Sequence, residues 1–201
     1  MLITPLCEIA YKYGTDKCPQ IKHVYTPYYF SLLNPLRNEI KKVVEMGIGN
    51  YKDMIHVPHV FDDRLKRVYE RGASLKMWRD FFPNAQVYGV DILPETMFED
   101  ERIKTIVCDE RKRTDIQKLV EFTGSDIDLF VDDGSHLSTN QIFLCKHIMP
   151  LLDKKVIYII EDVLPKRLPK ILQELSDYDL EVPDLPDKHH GDTCLVVVRH
   201  K

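Results

Sequence analysis

Val131-Asp132-Asp133-Gly134-Ser135-His136 is an apolar run that stops on two acids, a glycine and a histidine, and Ile159-Ile160-Glu161-Asp162 repeats the pattern further along the chain. Val-, Ile- and Tyr-rich runs at Lys42–Met46, Gln86–Asp91, Lys104–Cys108, Asp128–Asp132 and Val156–Ile160 each end in, or lead into, an acidic or glycine residue. Their apolar residues are nearly continuous, as in strands covered on both faces, and longer amphipathic segments separate them. The pattern predicts an α/β fold, a Rossmann-like, doubly wound, mostly parallel sheet of about seven strands with a terminal antiparallel strand. The last two strands, Asp179–Val182 and Cys194–Arg199, form an antiparallel pair at one edge. Ligands of such sheets sit outside the carboxyl ends of the strands. Acids crowded there repel one another unless a cation or protons neutralise them, which points to a hard-metal site beside a nucleotide-like cofactor.

With 201 residues, 44% of them hydrophobic, the chain suits one domain with a sizeable core. The 28 basic and 32 acidic residues are interspersed and leave a net charge of −4, which argues against nucleic acid as the partner. Arg111-Lys112-Arg113 reads as a solvated loop. No apolar run reaches the roughly 18 residues that would span a bilayer, and residues 1–6 lack the basic flank of a signal peptide. Cys7, Cys18, Cys108, Cys145 and Cys194 are odd in number and unpaired by spacing, as expected for reduced thiols in the cytoplasm.

Two helices are well marked. Over Ser138–Met149, Ser138 and Gln141 form a capping-box pattern and Ile142, Cys145, Ile148 and Met149 share a face. Over Ser74–Phe82, Leu75, Trp78 and Phe82 recur at helical spacing before Pro83, with Trp78 expected in the core. Residues 1–40 are expected to form a helical cap, and residues 51–71 a polar insertion containing His56 and His59. His189 and His190 fall in a turn-rich connection and are expected to be solvated.

The first strand runs into Glu45-Met46-Gly47-Ile48-Gly49, where two glycines permit a tight turn and close approach of a ligand. A dinucleotide fingerprint would need a third glycine where Lys52 stands, which disfavours a nicotinamide-dependent oxidoreductase. Asp91 ends the second strand, where an acid accepts from ribose hydroxyls. Asp109 follows the third, within reach of an adenine amine. His136, with an ordinary imidazole pKa of about 6.5, suits general-base work.

Tyr13-Gly14-Thr15-Asp16-Lys17, His23-Val24-Tyr25-Thr26-Pro27, Val44-Glu45-Met46-Gly47-Ile48-Gly49, the run from Gly72 to Ala85, Tyr88-Gly89-Val90-Asp91 and Asp132-Asp133-Gly134-Ser135-His136 together resemble class I S-adenosylmethionine-dependent methyltransferases. Within that class they are similar to the macrolide-sugar O-methyltransferases of the mycinamicin and macrocin type and, more distantly, to the cephalosporin-hydroxylase group. The segment 51–71 departs from the compact loop of many relatives, and the extra N-terminal region of the larger macrolide enzymes has no counterpart. The resemblance implies that Glu45, Gly47 and Gly49 line the methionine end of the cofactor. Ser74 would bind its carboxylate at a helix start, Asp91 the ribose and Asp109 the adenine side. It also implies that Asp132, Glu161 and Asp162 hold Mg²⁺, with Asp133 joining or replacing one of them and His136 acting as the base.

The implied activity is methyl transfer from S-adenosylmethionine to a hydroxyl of a sugar or polyhydroxylated small molecule. A non-catalytic nucleotide-binding module of the same fold is the alternative. Relatives often assemble through the N-terminal segment, so a homo-oligomer is compatible with the resemblance.

Overall fold

The computed structural model describes residues 2–49, 71–186 and 194–201. The expected insertion lies outside these residues apart from Arg71, as do His56, His59, His189 and His190.

Helix α1 (Pro5–Tyr13) starts where the Thr4 hydroxyl accepts the Cys7 N–H at 3.3 Å and stops at Gly14, whose φ of 79° is the left-handed turn that ends many helices. Helix α2 (Tyr25–Leu33) follows a short loop. The chain then alternates strands and helices: β1 (Lys42–Met46), α3 (Ala73–Phe81), β2 (Gln86–Asp91), β3 (Ile103–Val107), α4 (Arg113–Thr123), β4 (Leu129–Asp132), α5 (Ser138–Ile148), β5 (Ile157–Val163), α6 (Leu168–Glu174), β6 (Asp179–Glu181) and β7 (Cys194–Arg199). The sheet runs β3-β2-β1-β4-β5-β7-β6. Its first five strands are parallel, and β7 lies antiparallel to both β5 and β6. The expected Rossmann-like sheet of seven strands, with its antiparallel pair at one edge, is therefore present.

Period-two alternation divides the core into two layers. Val43, Val87, Leu129, Val131 and Ile159 pack beneath α1, α2 and α3 with Trp78, Phe81 and Tyr29. Val44, Met46, Phe130, Tyr158 and Ile160 pack beneath α4, α5 and α6 with Leu119, Leu144 and Ile148. Trp78 is fully buried in the first layer, as its spacing implied.

Three local expectations need correction. The capping box does not form: Leu137 precedes α5 without a side-chain cap, and the Gln141 amide instead donates to the Glu161 carbonyl at 2.9 Å. Helix α3 begins at Ala73 after Gly72, so Ser74 is inside the first turn. Strand β5 continues past Ile160 to Val163 through a register shift against β7. No helix among the described residues is long and apolar enough to cross a membrane.

Candidate active site

The strand order reverses between β1 and β4, which opens a crevice at their carboxyl ends. Side-chain alternation decides what each end presents there. Residues paired across a parallel register share a face, so Glu45 goes with Val131, while Asp132 goes with Met46 and Ile160. Glu45 and Glu161 consequently reach the α1–α3 side, and Asp132 the opposite side.

The expected metal trio of Asp132, Glu161 and Asp162 is thus not assembled. Asp132 is fully buried, accepts the Tyr158 hydroxyl at 2.9 Å, and leaves its other oxygen without a hydrogen-bond partner among the described residues. Burial, then the charge of nearby Glu110, raise its carboxyl to about 7. A folded-state value above the unfolded one means that its contribution to stability is present in acid and lost as pH rises through about 7. Asp132→Asn, neutral at every pH, is expected to be about as stable as the unaltered protein near pH ~4. At pH ~9 it is expected to be more stable by about 4 kcal/mol, the full linkage of a carboxyl raised from its ordinary value to about 7. Urea denaturation at the two pH values checks both.

Asp133, on the face of Glu161, is the acid of this strand end that meets the cleft. With His136 and Asp162 it forms a cluster whose ligand atoms all lie within 4.8 Å of one another. The His136 ring spans the two acids, Nε2 at 3.2 Å from Asp133 Oδ1 and Nδ1 at 3.3 Å from Asp162 Oδ2. Both His136 (φ 55°) and Asp162 (φ 53°) occupy the left-handed backbone region. Asp162 also sits in the register shift of β5, a device that re-aims a side chain beside a site. That turn brings Asp162 onto the face Glu161 already occupies.

The electrostatics of the cluster are interlocked. Burial disfavours the charged imidazole, but the hydrogen bond and charge of Asp133, together with Asp162, raise His136 to about 10. Burial, then the Asp133 charge, raise Asp162 to about 6. Burial also acts on Asp133, yet Lys17 and His136 pull it below the usual carboxylate range. Glu161 is raised by burial against the pull of Lys17. Its two oxygens accept the Lys17 ammonium and the Tyr29 hydroxyl, each at 2.5 Å. The Tyr25 hydroxyl donates to Asp162 Oδ1 at 2.6 Å. His23, stacked on Tyr25, sets its Nε2 3.7 Å from the same oxygen.

Asp133, His136, Glu161 and Asp162 share a cleft of about 600 Å³ with Gly47, Gly49, Ser74, Asp91 and Asp109. Glu45 is fully buried beneath this surface, its oxygens accepting the Ser74 hydroxyl and the Trp78 indole N–H. Asp91 accepts the backbone N–H of Ile48 (2.9 Å), Gly49 (3.1 Å) and Leu93 (3.0 Å), which fastens the glycine turn to the end of β2. A carboxylate has about four acceptor positions, so one remains for a ligand hydroxyl. Asp109 is held well below the usual carboxylate range by the Arg111 guanidinium, at 2.8 and 3.0 Å, with Lys112 at 3.3 Å. Arg111 and Lys112 are exposed, as expected of that basic tract.

Sequence reasoning missed Lys17, Tyr25 and Tyr29. A lysine or tyrosine in a loop or first turn carries no local sign that it will grip an acid more than 100 residues away, as the separations of 144 and 137 for Lys17–Glu161 and Tyr25–Asp162 make plain. Asp133 was available, because alternation from Val131 puts Asp133, not Asp132, on the face of Glu161.

No family model matches the chain. It is 31% identical over 158 residues to 8-demethyl-8-alpha-L-rhamnosyl tetracenomycin-C 2'-O-methyltransferase of Streptomyces olivaceus, a match covering 79% of this chain and 37% of that protein. It is 30% identical over 158 residues to mycinamicin VI 2''-O-methyltransferase of Micromonospora griseorubida, covering 79% and 36%. Among solved structures, the fold is similar to that of the MycE methyltransferase of the mycinamycin biosynthetic pathway in complex with Mg, SAH and mycinamycin VI. There the TM-score is 0.73 at 24% identity, over 98% of this chain and 54% of that one. The chain thus spans little more than a third of the length of the curated relatives it matches. The resemblance carried by the short motifs extends over most of the chain.

Proposed function

We propose that this chain transfers the methyl group of S-adenosylmethionine to a hydroxyl of a sugar or polyhydroxylated small molecule, with a divalent cation, Mg²⁺, in the site. The observation that carries this reading is the opening of the Asp133–His136–Asp162 cluster onto the same cleft as the Gly47–Gly49 turn. Similarity to two sugar-directed O-methyltransferases supports the class of acceptor.

The donor set fits a hard cation. Asp133 and Asp162 offer carboxylate oxygens from two adjacent strand ends, with Glu161 lining the same cleft, and such a set leaves positions open for water or acceptor oxygens. Asp133 and Asp162 would hold the ion. When bound it supplies positive charge that makes an acceptor hydroxyl more acidic.

S-adenosylmethionine supplies a sulfonium methyl with a good leaving group, so the residues need mainly to align donor and acceptor. The Gly47–Gly49 turn would take its methionine end, with Glu45 fixing Ser74 from behind. The Ser74 hydroxyl is already given to Glu45, so the backbone N–H groups at the start of α3, that of Ser74 among them, would bind its carboxylate. Asp91 would accept from the ribose, and Asp109 would face the adenine side. His136 would take the proton of the acceptor hydroxyl at a ring nitrogen. Its proton is held by the charges of Asp133 and Asp162, so neutralising those carboxylates frees the ring to act as a base near neutral pH.

Transfer of labelled methyl from S-adenosylmethionine to a pool of rhamnosylated and macrolide-linked sugar acceptors tests the reading. Activity is expected to disappear in EDTA and return with Mg²⁺. Full activity in chelator would remove the cation from the mechanism, and no transfer to any hydroxylated acceptor would favour the non-catalytic binding module.

A further inference from the structure

Lys17 is the one buried lysine among the described residues, with 2% of its side chain exposed. Lysines are almost never fully buried without partners, because a charge taken out of water must be compensated. Here Nζ lies 2.5 Å from both Asp133 Oδ2 and Glu161 Oε2, and 3.9 Å from Glu45 Oε1. The backbone beneath it is closed: the N–H groups of Tyr25 and Thr26 both donate to the Lys17 carbonyl at 3.1 Å, and His23 N–H donates to the Asp16 carbonyl at 2.7 Å. The ammonium is therefore delivered from a fixed loop.

The two oxygens of each acid are divided between a buried partner and the His136 ring. Asp133 gives Oδ2 to Lys17 and keeps Oδ1 beside His136. Asp162 gives Oδ1 to Tyr25 and keeps Oδ2 beside His136. Glu161, between them in the sequence of contacts, is held at both oxygens by Lys17 and Tyr29.

From this division we infer that Lys17 is a positioning residue. It fixes Asp133 directly and the end of β5 through Glu161, so that one oxygen of each cradle acid faces the cleft before any cation arrives. The inference rests on the cation site proposed above.

Positioning and simple charge have opposite consequences. An ammonium acting through charge alone would repel a divalent cation, and its removal would tighten binding. A positioning ammonium, once removed, frees the acid and weakens binding, on the scale of the about 10–100-fold losses that follow removal of the partners that orient metal ligands.

Mn²⁺ binding to the whole chain, followed by electron paramagnetic resonance, reads the sign. Lys17→Met is expected to bind Mn²⁺ at least about tenfold more weakly than the unaltered protein. Equal or tighter binding overturns the inference while leaving the cation site intact. Absence of Mn²⁺ binding by the unaltered protein overturns the cation site and the inference with it. Should Lys17→Met fail to fold, the unaltered protein labelled with ¹⁵N-lysine decides. The shielded Lys17 ammonium is expected to give a slowly exchanging resonance that persists to Mg²⁺ saturation, and its loss on adding Mg²⁺ overturns the inference.

Discussion

Replacing His136 with alanine is expected to lower methyl transfer by about 10²–10⁴-fold while changing S-adenosylmethionine affinity by less than about threefold. The two effects separate because His136 contacts Asp133 and Asp162, whereas the glycine turn is fastened by Asp91 and the start of α3 by Glu45. Steady-state assays paired with calorimetry check both halves. A variant that lost cofactor binding along with turnover would give His136 a structural role.

A companion pH dependence follows from the same contacts. In the cation-free protein the imidazole is raised to about 10, so its stabilising contribution is fully present below the ordinary value and lost as pH climbs through about 10. Thermal unfolding of His136→Gln without divalent ions is expected to show a deficit against the unaltered protein near neutrality. That deficit should close in strong alkali.

Gly47→Ala is the second substitution with a large expected effect. Gly47 has φ +95°, and a Cβ there would lie 2.0 Å from the Asp133 carbonyl oxygen and 2.6 Å from its carbon. Both atoms are backbone, and the turn that holds them is tied down because Asp133 N–H donates to the Met46 carbonyl at 2.9 Å. No rotamer change can relieve the overlap. The turns after β1 and β4 must separate, carrying Asp133 away from Lys17 and His136. Destabilisation of at least about 3 kcal/mol is expected, with loss of cofactor binding.

Gly49→Ala is the control. Its φ is +73°, but no atom of the described residues lies within 4 Å of the added carbon, so only left-handed strain of about 1–2 kcal/mol should appear. Urea denaturation of the two variants compares them, and equal losses would mean that the contact with Asp133 is unimportant.

The sheet was legible because the largely buried strands β1, β2, β4, β5 and β7 leave near-continuous apolar runs, and β1, β2 and β7 fall where the sequence puts them. The site was legible by address more than by atom. Acids at the ends of β4 and β5 mark the cleft, yet choosing Asp132 over Asp133 ignored the alternation that Val131 and Phe130 impose. The turn of Asp162 depends on a register shift that breaks alternation, and no local residue pattern announced it. Ser138 and Gln141 matched a capping box in sequence, but Gln141 met a stronger demand, the buried carbonyl of Glu161. Lys17 closes the run Tyr13-Gly14-Thr15-Asp16-Lys17, yet its contacts with Asp133 and Glu161 exist only once the chain has folded over the sheet.

On this reading the cleft at the ends of β1 and β4 is an S-adenosylmethionine site. Isothermal titration calorimetry with S-adenosylmethionine, and with NAD in parallel, tests it most directly. Saturable binding with one site per chain and a Kd between about 1 μM and 1 mM is expected, the span in which enzymes commonly meet their small-molecule ligands. It should be absent for NAD and lost in Gly47→Ala. Saturable binding of NAD without S-adenosylmethionine, or S-adenosylmethionine binding untouched by Gly47→Ala, would contradict it.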